Sequence, residues 1–477
     1  MAVPRVFAIE TEFGFTHLPE DRAETSREDL LQRMERLSGE IAPCVPTFGG
    51  RGIFLSNGGR FYLDWMNGSA KPEFATAECA DPVDLVRRIH EGDAFMNELA
   101  MKIEDEVGGE MLFSKTNIDY SSGNTWGCHE NYLIRRGYDL EKNLIPFLCS
   151  RQIFSGSGGF DIKTGFRFVL STRAQFMRTI SGVDTVTQRA ILNTRDESHA
   201  RPFEQRIHLI IGEGLHSEFA TLLKCATTSL VVGLIEAGVE PGSGIAIRTP
   251  LAAIRQFAQD PNCQVTVRTV SGRSIRAIDI QRHYLCRVGD YLSKLPVWAE
   301  AVCNLWRTVL DNLDSGAEQS LLRLEWVIRR RLFENYVKQF NYTLETLPQT
   351  DVPSCVDIQR GLCEFDTKFG RVGPQGIFQI LDAQGCLQHR IDSQTIPHET
   401  VETRAKLRGR EIEDAYRNRQ QGISADWSFL HDAATCRQMD LLDPFESCAV
   451  WHPADELPPE PRRFRRLRAA TSQPQLF

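Results

Sequence analysis

Val6-Phe7-Ala8-Ile9-Glu10-Thr11-Glu12-Phe13 is the run on which the fold turns. In an extended chain, residues two apart point to the same side. Glu10 and Glu12 therefore share one face, and Phe7, Ile9, Thr11 and Phe13 the other. Gly59-Arg60-Phe61-Tyr62-Leu63-Asp64-Trp65 repeats the plan, with Arg60, Tyr62 and Asp64 opposed to Phe61, Leu63 and Trp65. Two carboxylates roughly 7 Å apart along a strand repel by about 2–2.5 kcal/mol at an effective dielectric of about 20. Either both are solvated or a cation sits between them. A wet polar face accounts for one such strand. Its recurrence with chemically matched partners points to metal–nucleotide chemistry, because hard divalent ions such as Mg²⁺ take oxygen ligands and leave room for phosphates and water.

Outward from these strands, Glu24 to Gly39 reads as a helix and Ile41 to Asn57 as a Gly/Pro-containing connection. Pro72 to Cys79 is a third extended piece. Asp81 and Pro82 then cap and begin an amphipathic helix to about Val107, with Val83, Leu85, Val86 and Ile89 at helical spacing. Extended segments are expected at Met111–Ile118, Cys128–Arg135, Gly165–Ser171 and Arg206–Gly212, helices over Ser217–Ala237 and within Ile278–Leu344, and a basic helix over Arg404–Asn418. This order predicts an α+β protein on a largely antiparallel sheet. The expected division is a catalytic domain over 1–400, a small C-terminal domain over 401–458, and a disordered Pro/Arg-rich tail over 459–477.

With 42% hydrophobic and 25% charged residues, the 477-residue chain can bury a large core. A net charge of −8 argues against a general nucleic-acid binder. The 13 cysteines show no CxxC pair, which fits reduced thiols and a cytoplasmic location. No signal peptide is read at Met1 to Arg5, and no apolar run is read as a membrane span of roughly 20 residues.

Further polar groups sit at favourable spacing. His129 and Asn131 share a face after the glycine-bounded turn Gly123–Gly127, and Arg206 and His208 share a face opposite Ile207, Leu209 and Ile211. Each has a bland reading, as a hydrogen-bonded structural residue or a solvated turn. Asn193 to His199 is a polar loop with groups that bind phosphate. Ser155-Gly156-Ser157-Gly158-Gly159 could wrap an anion with its amides, although it lacks a Walker lysine.

Taken in order, Glu-x-Glu-Phe-Gly, Asn-Gly-x-Arg-x-Tyr-x-Asp, Pro-Glu-Phe-Ala-Thr-Ala-Glu, Cys-His-Glu-Asn-Tyr-Leu, Asn-Thr-Arg-Asp-Glu and Arg-x-His-x-x-x-Gly form a specific series. The series resembles the Pup ligase family and its sister, the deamidase of Pup, both related to glutamine synthetase and the carboxylate–amine ligases. The resemblance runs from about Val6 to Phe445 and implies a glutamine synthetase-like domain whose curved antiparallel sheet cradles ATP. It implies Mg²⁺ on Glu10, Tyr62 and Glu73, with Glu12 as a further ligand. It puts ATP against Arg60, Thr76 and Trp427, and Asp64 on the catalytic aspartate. His129, Arg195 and His208 match positions near the nucleotide. The implied partners are a small, disordered Pup-like modifier and lysine-bearing proteins bound for the proteasome.

Glu10 and Asp64 lie 54 positions apart, a short connection of the ligase kind, whereas the deamidase branch carries a longer insertion there. Glu325 to Phe333 also looks like the ligase. The alternative is hydrolysis of the modifier's C-terminal glutamine or of the isopeptide bond. Two departures stand out: Trp65 to Pro72 is a few residues longer than the family pattern, and Ser198 replaces a usual proline.

Overall fold

A computed structural model describes residues 5–20, 25–66, 69–163, 165–347 and 353–454. Its frame is a nine-stranded sheet whose centre runs, neighbour to neighbour, Glu204–Leu209, Cys128–Arg135, Phe7–Glu12, Ser69–Ala75 and Arg60–Met66. These central pairings are all antiparallel. Ala190–Asn193 and Thr179–Gly182 extend one edge, the latter in parallel, so the sheet is mixed. Ile53–Leu55 and Cys44–Pro46 extend the other edge, inside the stretch expected to be a plain connection. Three-residue strands contain too little alternation to be seen in sequence.

One face of the sheet is apolar, as period two requires. Phe61, Leu63 and Phe74 pack on Phe95, Met96 and Leu99 of the Pro82–Val107 helix. Phe7, Ile9, Tyr132, Ile207 and Leu209 join a second core with the Glu218–Glu236 helix. That helix is capped by Ser217 and is apolar and long enough to cross a membrane, contrary to the expectation that no such run exists. Some 94% of its most apolar window is buried, as a helix lying between a sheet and other helices must be. Trp65 also departs from expectation. It lies at the end of its strand, 47% exposed, with Arg51 over its ring.

Other boundaries moved. Ser26 caps Asp29, so the first helix is Arg27–Ser38. Glu110–Ser114 pairs with Gly14–Leu18 and Arg167–Val169 with Gly159–Asp161, each in a two-stranded sheet of its own. The helical stretch resolves into Ala277–Gly289, Ala299–Ser315 and Glu325–Lys338. Within the last helix the charges are internal: Arg329 pairs with Glu325 and Asp366, all three buried. All thirteen cysteines are free. Near the C-terminus, the Arg404–Arg417 helix and a four-stranded sheet pack Leu407, Ile412, Leu430 and Met439 against Val45 and Phe54 of the short edge strands. The expected disordered tail lies outside the described residues.

Candidate active site

Strand register gathers the polar face. Glu12 stands opposite Glu73, which stands opposite Tyr62; Glu10 lies opposite Ala75 and His129; Asp64 lies opposite Lys71. Carboxylate oxygens of Glu12, Asp64 and Glu73 all lie within 4.8 Å of one another, and Glu10, His129 and His208 form a second set equally close. The crowding perturbs their acidities. Burial, together with Glu10, Glu12 and Asp64, pushes the Glu73 carboxyl well above the carboxylate range. Burial and Glu12 also raise Asp64. Burial, with Glu73 and Glu10 alongside, pushes the Tyr62 phenol well up. For Glu10 burial opposes ionisation, but His129, His208 and Arg206 outweigh it and hold the carboxyl well below its usual range.

His208 is pushed down to about 4, chiefly by burial and against the pull of Glu10. Its Nε2 lies 3.6 Å from Glu10, beyond hydrogen-bond reach, and neither ring nitrogen has a hydrogen-bond partner among the described residues. Asn131 Oδ1 and Arg206 Nε are likewise buried without a partner. A divalent cation fits this donor set. It would offset the mutual repulsion of the acids, and carboxylate oxygens are what Mg²⁺ selects. Glu12, Asp64 and Glu73 form one set of side chains close enough to share it, and Glu10, His129 and His208 the other.

Beside the acids, a cleft of about 600 Å³, part of it open to solvent, has the small Ala8 and Ala75 in its lining. Thr76, Arg206, Ser198 and Trp427 also line it. Trp427 is delivered by the C-terminal unit, its ring 5.0 Å from Phe54, and Arg408 donates to its carbonyl at 2.9 Å. Asp426, next in chain, faces His199 at 3.3 Å. The unit is locked down by Glu78, which accepts from Arg404 and Arg408 at 2.8 and 2.5 Å. Burial works against that carboxylate, yet the two guanidinium groups hold its pKa down to about 2. Arg60 lies 4.4 Å over the Tyr62 ring and donates to the Arg51 carbonyl and to Thr47 Oγ1.

Two expected contacts sit differently. Thr76 Oγ1 accepts from the Ile9 amide at 3.0 Å, so it also ties two strands together. Arg195 is half exposed, pairs with Glu197 and does not line the cleft. Arg206 is the guanidinium that reaches Glu10, at 3.5 Å. The alternation Arg206/His208 carried that signal; the polar composition of the Arg195 loop obscured it. The glycine loop does wrap an anion, but the anion is internal: Ser157 N and Oγ both donate to Glu213.

The sequence model of the Pup-ligase protein family matches residues 5–431. The chain belongs to the Pup-ligase family. The Pup–protein ligase of Mycolicibacterium smegmatis is 35% identical over 93% of this chain and 97% of its own length. That of Rhodococcus opacus is 33% identical, with the same coverage. Among solved structures, the Pup ligase PafA in complex with Pup is 27% identical with a TM-score of 0.77, covering 93% of this chain and 90% of that one. PafA in complex with ADP gives 26% and 0.70, covering 91% and 93%. The glutamine synthetase-like architecture of the Pup ligases is therefore the architecture here.

Proposed function

We propose that this chain is an ATP-dependent Pup–protein ligase that joins the side-chain carboxylate of a Pup-like modifier's C-terminal glutamate to substrate lysines, marking them for proteasomal degradation. The observation that carries the reading is the polar face, where Glu10, Glu12, Asp64 and Glu73 crowd beside the cleft that Trp427 and Thr76 line. Family membership and relatives named as ligases support the same reading.

ATP would lie in the cleft against Trp427 and Thr76, with its phosphates toward the acids and toward Arg60 over the Tyr62 ring. Mg²⁺, when held by Glu10, Tyr62 and Glu73, supplies charge neutralisation to the phosphates. Arg206 and Arg60 add fixed positive charge beside them. The modifier's glutamate oxygen attacks the γ-phosphorus and ADP leaves, giving a glutamyl phosphate. The substrate lysine then attacks the acyl carbon and phosphate departs. Lysine is protonated at neutral pH and must first lose a proton. Asp64 suits that role, because burial and Glu12 raise its pKa and so bring it closer to the working pH than an ordinary aspartate.

The test is to incubate the purified chain with Mg-ATP, a Pup-like modifier ending in glutamate, and a lysine-bearing protein. The expected result is a conjugate with one ADP formed per bond. Ammonia release from a glutamine-ended modifier, or deconjugation without net joining, would instead assign the sister hydrolase activity.

A further inference from the structure

Lys71 lies on the polar face, and the reaction above does not use it. It stands in the lengthened hairpin between Asp64 and Glu73, directly across the strand pair from Asp64. Its Nζ donates to Glu12 Oε2 at 3.0 Å and to the Thr125 carbonyl at 2.9 Å. The same Glu12 oxygen also accepts from the Gly127 amide at 2.6 Å. Lys71 is only about one-fifth exposed and Glu12 is 4% exposed, so this pair is far from the screened surface kind.

An ammonium held between a carboxylate and a carbonyl oxygen has the surroundings of a bound monovalent cation. Glu12 is correspondingly committed: its Oε2 is taken by two protein donors. We propose that the Lys71 ammonium is a resident cation on Glu12, standing in for one divalent ion at this end of the acidic face. Glu12 is then a brace, and divalent binding rests on Glu10 and Glu73. Lys71 is a positioning residue, acting through Glu12 on the geometry around Asp64. Without it, the Glu12, Asp64 and Glu73 oxygens, within 4.8 Å of one another, form a three-carboxylate set for a further cation, with Glu73 shared between the two ions.

The inference rests on the proposed metal-dependent reading of this face, and counting bound Mn²⁺ separates the two. The free Mn²⁺ signal is followed by electron paramagnetic resonance during titration of the full chain at pH 7. Lys71→Met should bind one more Mn²⁺ per chain than the wild type, while Lys71→Arg keeps the wild-type number. Glu12→Gln should also keep that number, which tests the idea even if Lys71→Met does not fold. Equal counts for Lys71→Met and wild type, or one fewer ion in Glu12→Gln, would overturn the role of Lys71 alone. A wild-type chain that binds no Mn²⁺ would overturn the metal-dependent reading as well.

Discussion

The two faces of the central sheet treat the same side chain in opposite ways. On the strand Cys128–Arg135, Glu130 points down into the core, where Arg151 grips both its oxygens at 2.6 and 2.8 Å and Tyr132 donates at 2.7 Å. One residue away, His129 points up toward Glu10 and the acidic cluster. Glu130 is 0% exposed and Glu73 3%, so burial does not distinguish them. Partners do. Glu130 is held below the usual carboxylate range because Arg151 and Lys224 outweigh its burial, whereas Glu73 is pushed well above it by burial and by other acids. A buried acid with a matched cation holds a fold together; one set among other acids is kept for a ligand.

The largest effect should come from the proposed base. Asp64→Asn keeps the shape but cannot take a proton, so conjugation should fall at least about 100-fold. Its ADP affinity, read by calorimetry, should change by less than about threefold, and unaltered conjugation would remove Asp64 from the base role. On the other face, Glu130→Gln leaves Arg151 buried and unmatched, with an expected loss of about 3–5 kcal/mol in urea unfolding at pH 7. Glu130 has a depressed folded pKa, so its contribution is present above its unfolded value near 4.3 and is lost as pH falls through the lower folded value. The gap between variant and wild type should therefore close in acid.

Glu73 carries the opposite sign. With its folded pKa raised, ionisation costs stability from about pH 4.5 upward, until the folded value is passed. In EDTA-treated protein, Glu73→Gln should gain roughly 1 kcal/mol at neutral pH and show no such decline. Trp427→Ala removes the aromatic wall of the cleft and should weaken ADP binding about tenfold, near 1.4 kcal/mol. Arg195→Ala should be the mildest, within about twofold in conjugation rate, because an exposed pair with Glu197 contributes little.

Much of this contrast was legible in the residues. Period two alone separated Glu10, Arg60, Tyr62 and Asp64 from Phe7, Ile9, Phe61 and Leu63, because a strand with one buried face must alternate. The ordered motifs supplied the fold family and pointed to the site. What escaped was anything decided by long-range partners. The short edge strands at 44–46 and 53–55 exist because the C-terminal unit packs on them, through Val45 and Phe54. The Gly156 loop looked able to hold a foreign anion, and only the fold shows Glu213 filling it. Arg195 sits in a polar loop whose composition suggested phosphate binding, yet strand register puts Arg206, from the alternating Arg206/His208 strand, beside Glu10. Lys71 looked like part of an insertion until the register set it next to Glu12.

Thermal unfolding of Glu73→Gln and Glu130→Gln, each with and without Mg-ADP, tests the contrast between the faces most directly. Glu73→Gln should show a raised midpoint without ligand and a diminished Mg-ADP shift. Glu130→Gln should show a lowered midpoint with the shift retained. A Glu73→Gln protein that melts as early as Glu130→Gln, or that responds to Mg-ADP as the wild type does, would contradict that contrast.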